Sequence, residues 1–259
     1  MANLEPRAAR YGAAAAGAAE AIDEGLRAHM LRVYNYMMIG LVVTGVFALG
    51  IFNMAVTGNP QDAAAILQNG VMLTQLGSTI YLGPLMWVIA LAPLGMVILL
   101  SARIQKMSVG GAQMTFWVFA ALMGLSLSSI FVVYTASSIT QVFFIAAATF
   151  GTMSLWGYTT KRDLSGMGSF LMMGVFGLII AMVVNWFLAS PALMFAYSVI
   201  GVLIFTALTA YDTQKIKEMY YVGDDGSVAG RKAIMGALSL YLDLILLFQF
   251  LLSLMGSRE

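Results

Sequence analysis

The stretch that decides the fold is Gly236–Met255, GALSLYLDLILLFQFLLSLM, which carries a single charged residue, Asp243. About 20 mostly apolar residues are enough for a helix to cross the hydrocarbon core of a bilayer. An aspartate at the centre of such a helix costs about 2.5–3.5 kcal/mol on insertion scales, so it needs a partner, a water-filled cavity or a proton. The stretch therefore predicts a transmembrane helix with a functional carboxyl group inside it.

The rest of the chain has the same apolar character. Of its 259 residues 61% are hydrophobic and 10% are charged, whereas about 25% are charged in soluble domains. The sequence therefore predicts an all-α integral membrane protein with seven transmembrane helices. The dipeptide Ser190-Pro191, which alone separates the fifth and sixth spans, fits either a tight turn or a kink. The predicted spans are Asn35–Val56, Leu82–Ser101, Met114–Tyr134, Gln141–Tyr158, Ser169–Ala189, Ala192–Tyr211 and Gly236–Met255.

The charges of the loops predict the orientation. Lys and Arg precede the first span and follow the second, fourth and sixth, while the first, third and fifth connections contain none. The positive-inside rule then places the N-terminus in the cytosol, and the C-terminus outside unless the seventh segment re-enters. Residues 1–30 contain no convincing signal peptide, and we interpret them as a cytosolic tail that is poorly ordered or amphipathic. Residues 31–259 form the seven-span membrane domain.

Several function classes are excluded or disfavoured. The absence of cysteine excludes a disulfide framework, a thiolate metal site and a cysteine nucleophile. The one histidine, His29, lies outside the predicted spans, so an intramembrane serine protease would lack its base. The last span has no lysine for a retinal Schiff base, and a net charge of +1 does not favour nucleic acid. An aspartyl protease, whose two aspartates this chain supplies, is disfavoured, and we expect a protein that is not an enzyme.

A second acidic residue, Asp212, lies at the end of the sixth span, on the same side of the membrane as Asp243. Adjacent antiparallel helices bring the two within reach, and carboxyl groups that share a site resist double ionisation. Our hypothesis is that the protonated pair shares a hydrogen bond and closes a path, whereas the deprotonated pair repels and offers oxygens transiently to calcium, which prefers such ligands. In the alternative interpretation, Ser239 or Gln249 satisfies Asp243, and Lys215 neutralises Asp212.

Three segments of the chain resemble the Bax inhibitor-1, or transmembrane Bax inhibitor motif, family. They are Ala237–Asp243, Ala196–Lys217 with its Tyr211-Asp212, and Thr160–Ser165. The resemblance is to the bacterial branch and implies a central last helix surrounded by the other six. It also implies a bacterial inner (plasma) membrane protein that binds no permanent cofactor and leaks calcium.

The same resemblance assigns the site. Asp212 and Asp243 would form the pH sensor, and Arg103, at the end of the second span, would be its latch; an ordinary anchor at the membrane surface is the alternative role for this arginine. Family members often carry asparagine where this chain has Leu246, so one polar contact in the path is missing here.

A regulatory function is the alternative to a leak. In that case the chain modulates a membrane protease, or another membrane protein involved in quality control, without physiologically relevant ion flux. The N-terminal tail would make the contact. Under the leak hypothesis, the partners are the lipid bilayer and calcium.

Overall fold

A computed structural model of the protein describes residues 5–257, with the backbone alone for residues 5–23. Within these residues, seven helices are long and apolar enough to cross a membrane, which confirms the predicted fold class. They are α1 (Glu5–Ala55), α3 (Leu85–Arg103), α4 (Val109–Leu127), α6 (Ala136–Thr159), α7 (Ser165–Leu188), α8 (Pro191–Glu218) and α9 (Gly226–Met255). Shorter elements are the hairpin β1 (Ala65–Ile66) and β2 (Met72–Leu73), and the helices α2 (Gln75–Tyr81) and α5 (Ile130–Val133).

The last helix, α9, is the centre of the bundle. In its most apolar stretch 61% of the residues are buried, against 11% in α3. It packs directly against α1, α4, α6 and α8. The six other long helices surround it in the order α1, α4, α3, α7, α8, α6, and this ring confirms the expected architecture.

Two side-chain contacts join neighbours in this ring. The rings of Trp87 on α3 and Trp186 on α7 lie 5.1 Å apart between centroids. The Tyr34 hydroxyl of α1 lies 2.6 Å from Ser154 Oγ of α6. These contacts place α3 beside α7 and α1 beside α6.

The division at Ser190-Pro191 is a tight turn between two helices. Ala189 ends α7 in the left-handed conformation, with φ 47°. The Ser190 hydroxyl accepts a hydrogen bond from the Leu193 amide at 3.4 Å, which caps the start of α8. Pro191 is the first residue of α8, where its missing N–H costs no helical hydrogen bond. The prediction of two separate spans is therefore confirmed.

The first helix begins before the predicted span. Residues 24–34 belong to α1, and His29 and Met30, which lie in the segment interpreted as a tail, are only 6% and 3% exposed. The histidine ring packs 5.9 Å from the ring of Tyr220, at the end of α8. Tertiary packing thus buries a segment whose polar residues suggested an exposed tail. The side chains of residues 1–23, where most of the expected tail lies, are outside the described part of the chain.

Candidate functional site at the aspartate pair

Asp243 is a buried carboxyl group in the middle of the central helix. It is 4% exposed, and its Oδ2 accepts no hydrogen bond from any described residue. The alternative in which Ser239 or Gln249 satisfies the aspartate is therefore not seen at this oxygen. A buried carboxylate oxygen without a donor is unfavourable, so this atom favours a proton or a cation.

Asp212 faces Asp243 from α8. It is half-buried and lies close enough for the two carboxyl groups to interact electrostatically. The structure therefore brings together the two acidic residues that the sequence singles out. Two like charges in a poorly solvated site repel strongly, so the doubly ionised pair is the unstable state.

A cavity of about 480 Å³, which we call the aspartate cavity, lies beside Asp212. The cavity opens at the end of the bundle where α3 ends and α9 begins. We call this end the basic end, because its loops 104–108 and 160–164 carry Lys and Arg. Its walls come from α3 and the loop after it, and from α8 and α9. Ser101 of α3 and Ile104 and Gln105 of the loop line it, opposite Arg231, Met235 and Ser239 of α9.

Three cations line the aspartate cavity, and each has contacts of its own. Lys232 forms an ion pair with Asp224 at 2.5 Å. Arg231 donates a hydrogen bond from Nη1 to the Met107 carbonyl at 3.3 Å. Lys215 lies 5.7 Å from the centre of its neighbour Tyr211's ring, and its charge acts on Asp212 without forming an ion pair within the described residues.

Arg103, the expected latch, is not at the pair. It is the last residue of α3, it is exposed, and it does not line the aspartate cavity. Ser101 of α3 and Gln105 of the following loop line the cavity instead. Sequence reasoning missed Arg231, although its spacing of four and eight residues from Met235 and Ser239 places all three on one face of a helix.

A second cavity, of about 400 Å³, separates α3 from α9 in the middle of the bundle; we call it the central cavity. Pro93 and Val97 line it from α3, and Leu242, Leu246 and Gln249 line it from α9. Ser239 of the aspartate cavity and Leu242 of the central cavity are three positions apart on α9, about 5 Å along the helix axis. Asp243 lies at this level.

The barrier between the two cavities is formed on the other side by α3. Val97 lines the central cavity and Ser101 lines the aspartate cavity, and the fully buried Leu100 lies between them. The buried aspartate and this leucine thus mark the narrow section of a possible path along α3 and α9.

Comparison with known proteins identifies the family. Residues 26–259 match the sequence model of the family described as inhibitor of apoptosis-promoting Bax1. The chain belongs to the Bax inhibitor-1 family. The Escherichia coli inner membrane protein YbhL is 45% identical over 237 residues, which cover 91% of this chain and 94% of that protein.

Bacterial relatives of the same length extend the comparison. An uncharacterized protein of Rickettsia prowazekii is 44% identical over 237 residues, 92% of each chain. An uncharacterized protein of Caulobacter vibrioides is 44% identical over 239 residues, again 92% of each chain. The resemblance noted from three segments therefore extends over nearly the whole chain.

In this Bax inhibitor-1 chain, Leu246 stands where family members often carry asparagine, and a nearby residue supplies a polar group instead. Leu246 lines the central cavity, and Gln249, one turn further along α9, lines the same cavity. No third acidic, histidine or cysteine side chain joins Asp212 and Asp243 in the described part of the chain. Two carboxyl groups supply fewer oxygens than the roughly 6–8 that calcium takes, so this donor set suits brief contact better than tight binding.

Proposed function

We propose that this chain is a pH-sensitive calcium leak channel, gated by protonation of Asp212 and Asp243. The observation that carries the proposal is the buried Oδ2 of Asp243, which has no donor among the described residues and lies at the level between two cavities. A structural aspartate in a membrane helix is expected to be fully hydrogen-bonded. An aspartate that exchanges a proton for a cation needs an oxygen that no other group occupies, so that either one can bind there.

The gate follows from the charge of the pair. When one carboxyl group is protonated, it can donate to the other, and the shared hydrogen bond holds α8 against α9. When both are ionised, they repel each other and present oxygens to a cation. Raising the pH therefore opens the path, and lowering it closes the path.

The proposed path follows the face of α9 that meets α3. It runs from the aspartate cavity, past Asp243 and Leu100, to the central cavity. We propose that Leu100, which is buried between the residues of α3 that line the two cavities, closes this section of the path. For Arg103 we keep the proposed role as latch, in which a rotation of the end of α3 would bring the arginine toward Asp212. Its exposed position also suits the alternative role, an anchor at the membrane surface.

We further propose that the protein lies in the bacterial inner membrane with its basic end in the cytosol. The Escherichia coli relative YbhL is named as an inner membrane protein. Lys and Arg concentrate in the loops at the basic end, as the positive-inside rule requires. The proposed function is not enzymatic, and it needs no permanently bound cofactor, with the bilayer as partner and calcium as the permeant ion.

The test is calcium flux into proteoliposomes at about pH 6 and about pH 8, on either side of neutrality. Wild type should leak faster at the higher pH, and Asp243→Asn should lose this dependence because its side chain cannot ionise. Asp163→Asn is the matched control, since it removes an exposed acid outside the aspartate cavity and should leave the pH response unchanged. Folded wild-type protein that gives no flux at either pH would contradict the leak and favour regulation of another membrane protein.

A further inference from the structure

The far half of the path carries polar groups that the aspartate gate does not use. Besides the central cavity, two smaller cavities, of about 270 and 300 Å³, lie toward the end of the bundle opposite the basic end; we call them the far cavities. Ser126 lines all three, and Gln249 lines the central cavity and one far cavity. These two side chains therefore connect the central cavity to the opposite end of the molecule.

The third span is distorted at this point without being unwound. α4 ends at Leu127 and α5 begins at Ile130, while Ser128 and Ser129 between them keep right-handed helical dihedral angles. Ser128 donates its hydroxyl to the Leu125 carbonyl at 2.6 Å, and Ser129 donates to the Ser126 carbonyl at 3.1 Å. Ser126 and Ser129 thus bring oxygen atoms to the walls of the far cavities.

The lining is uncharged and mostly apolar, with a few oxygen-bearing side chains. Among the described residues, no Asp, Glu, Lys or Arg lines the central cavity or the far cavities. The half-buried amide of Gln249 makes no hydrogen bond to a described residue, and the exposed hydroxyl of Ser129 lines both far cavities. An amide at this depth without a protein partner is unfavourable unless water or an ion supplies one.

We propose that Gln249, Ser126 and Ser129 form a water-filled vestibule, open to the side opposite the basic end, which binds the permeating cation transiently. Neutral oxygens hold a partly hydrated cation weakly, and a leak needs binding that is strong enough for the ion to enter and weak enough for it to leave. The part concerning the cation rests on the proposed calcium leak. The water-filled vestibule can be tested without any flux.

Because the chain contains no cysteine, single cysteines report accessibility in an otherwise native background. Gln249→Cys and Ser129→Cys should react with a membrane-impermeant methanethiosulfonate reagent added to the side opposite the basic end, since thiols react as thiolates in water. Leu247→Cys, at a fully buried position, and Phe170→Cys, at an exposed position on α7 that lines none of these cavities, are the controls and should not react. Reaction at the two vestibule positions alone supports the proposal, and no reaction there, or equal reaction in the controls, overturns it.

Two further measurements test cation binding. Calcium, but not an equal concentration of choline, should slow the labelling of Ser129→Cys, and this protection should weaken when Gln249→Leu is added. In flux assays, Gln249→Leu should reduce the leak about tenfold and Gln249→Glu should preserve or raise it, because a carboxylate keeps the oxygen ligand and adds charge. Gln75→Leu, which changes an exposed glutamine outside these cavities, should have no effect.

The outcomes separate the two proposals. A wild type without flux overturns the leak, while the labelling and its protection by calcium still decide the vestibule. A wild type that leaks normally, with unchanged flux in Gln249→Leu and no protection by calcium, overturns the cation site and leaves the aspartate gate standing.

Discussion

The two faces of α9 differ in how closely they are packed. Toward α1 and α4, Tyr241 is fully buried, and its hydroxyl lies 2.5 Å from Thr44 Oγ1. The rings of Phe116 and Phe119 meet the tyrosine ring edge-on, with centroids 6.0 and 5.3 Å away. Toward α3, by contrast, Leu242 and its neighbours line a cavity.

This difference in packing indicates which part of the bundle can move. A closely packed interface resists small displacements because each one loses contacts. An interface with cavities loses fewer contacts when its helices shift. The α1–α4 side therefore holds the central helix in place, and the α3 side is where a path can open.

The largest expected effect comes from removing the barrier on the open side. Leu100→Ala should join the aspartate and central cavities, so that calcium flux rises and loses its dependence on pH. The lost packing should also lower the free energy of unfolding by about 2–5 kcal/mol. Flux and thermal unfolding of the purified variant would measure both effects.

Leu247→Ala is the matched control, because Leu247 is equally buried but lies on α9 beyond the section between the aspartate and central cavities. It should lower stability by a similar amount without added flux. If both variants leak equally, the difference between the two faces has no bearing on permeation.

The next effect concerns the close approach of α4 and α1. A β-carbon added at Gly124 would lie 2.5 Å from the Thr44 carbonyl oxygen. Gly124→Ala should therefore destabilise the protein by about 1–3 kcal/mol, as measured by thermal unfolding. At Gly95 on α3 an added β-carbon meets nothing within 4 Å, and Gly95→Ala should be neutral or gain up to about 1 kcal/mol. Equal losses at the two glycines would refute the packing difference.

A smaller effect is expected from the hydroxyl of Tyr241. Tyr241→Phe removes its hydrogen bond with Thr44 but keeps the ring, so the free energy of unfolding should fall by about 0.5–1.5 kcal/mol. The pH dependence of flux should not change, since this face does not form the path. Tyr221→Phe, at an exposed position, serves as the control. A changed pH response in Tyr241→Phe would show that the packed face takes part in gating.

The smallest expected effect on stability concerns the N-terminal cap of α9, which belongs to neither of the two faces in particular. The Asp225 carboxylate caps the helix, and hydrogen bonds from the side chain and amide of Ser227 and from the Val228 amide lower its pKa. A lowered pKa stabilises the folded protein above the unfolded value, about 3.9, and this contribution is lost as the pH falls through the folded value. The free energy of unfolding of the wild type should therefore decrease as the pH falls from about 3.9 through the lower, folded pKa of Asp225.

Asp225→Asn keeps a capping oxygen without the charge, so its stability should not change with pH over the same range. Asp225→Ala should lose the cap at every pH. Thermal unfolding in detergent across the acidic range distinguishes the three proteins. An Asn variant as acid-sensitive as wild type would place the sensitivity elsewhere.

Much of the fold could be predicted from the sequence. Spans of about 20 apolar residues follow from the thickness of the bilayer, and Pro191 with its serine cap indicates the turn between α7 and α8. The boundaries were less predictable. The start of α1 and the distortion at Ser128 involve contacts with other parts of the fold: packing buries His29 in one case, and the Tyr81 hydroxyl of α2 donates to Ser128 Oγ in the other.

The candidate site could be predicted in part. A lone aspartate in an apolar helix is expensive, so Asp243 is conspicuous in any reading of the chain. The position of Arg103 was not predictable, because the rotation of α3 about its axis depends on its packing against α4. With that rotation, Ser101 lines the aspartate cavity and Arg103 is exposed.

The sequence by itself determined that this is a seven-helix membrane protein with an acidic residue inside its last span, since hydropathy and the cost of a buried charge are local properties. Three relations follow from the tertiary structure alone. Asp212 lies near Asp243, and the buried Leu100 lies between residues that line the aspartate and central cavities. Gln249 and Ser126 line the central cavity and one far cavity together. These are relations between helices that lie far apart in the chain. They depend on crossing angles and rotations fixed by close packing, for which a single sequence carries no periodic signal.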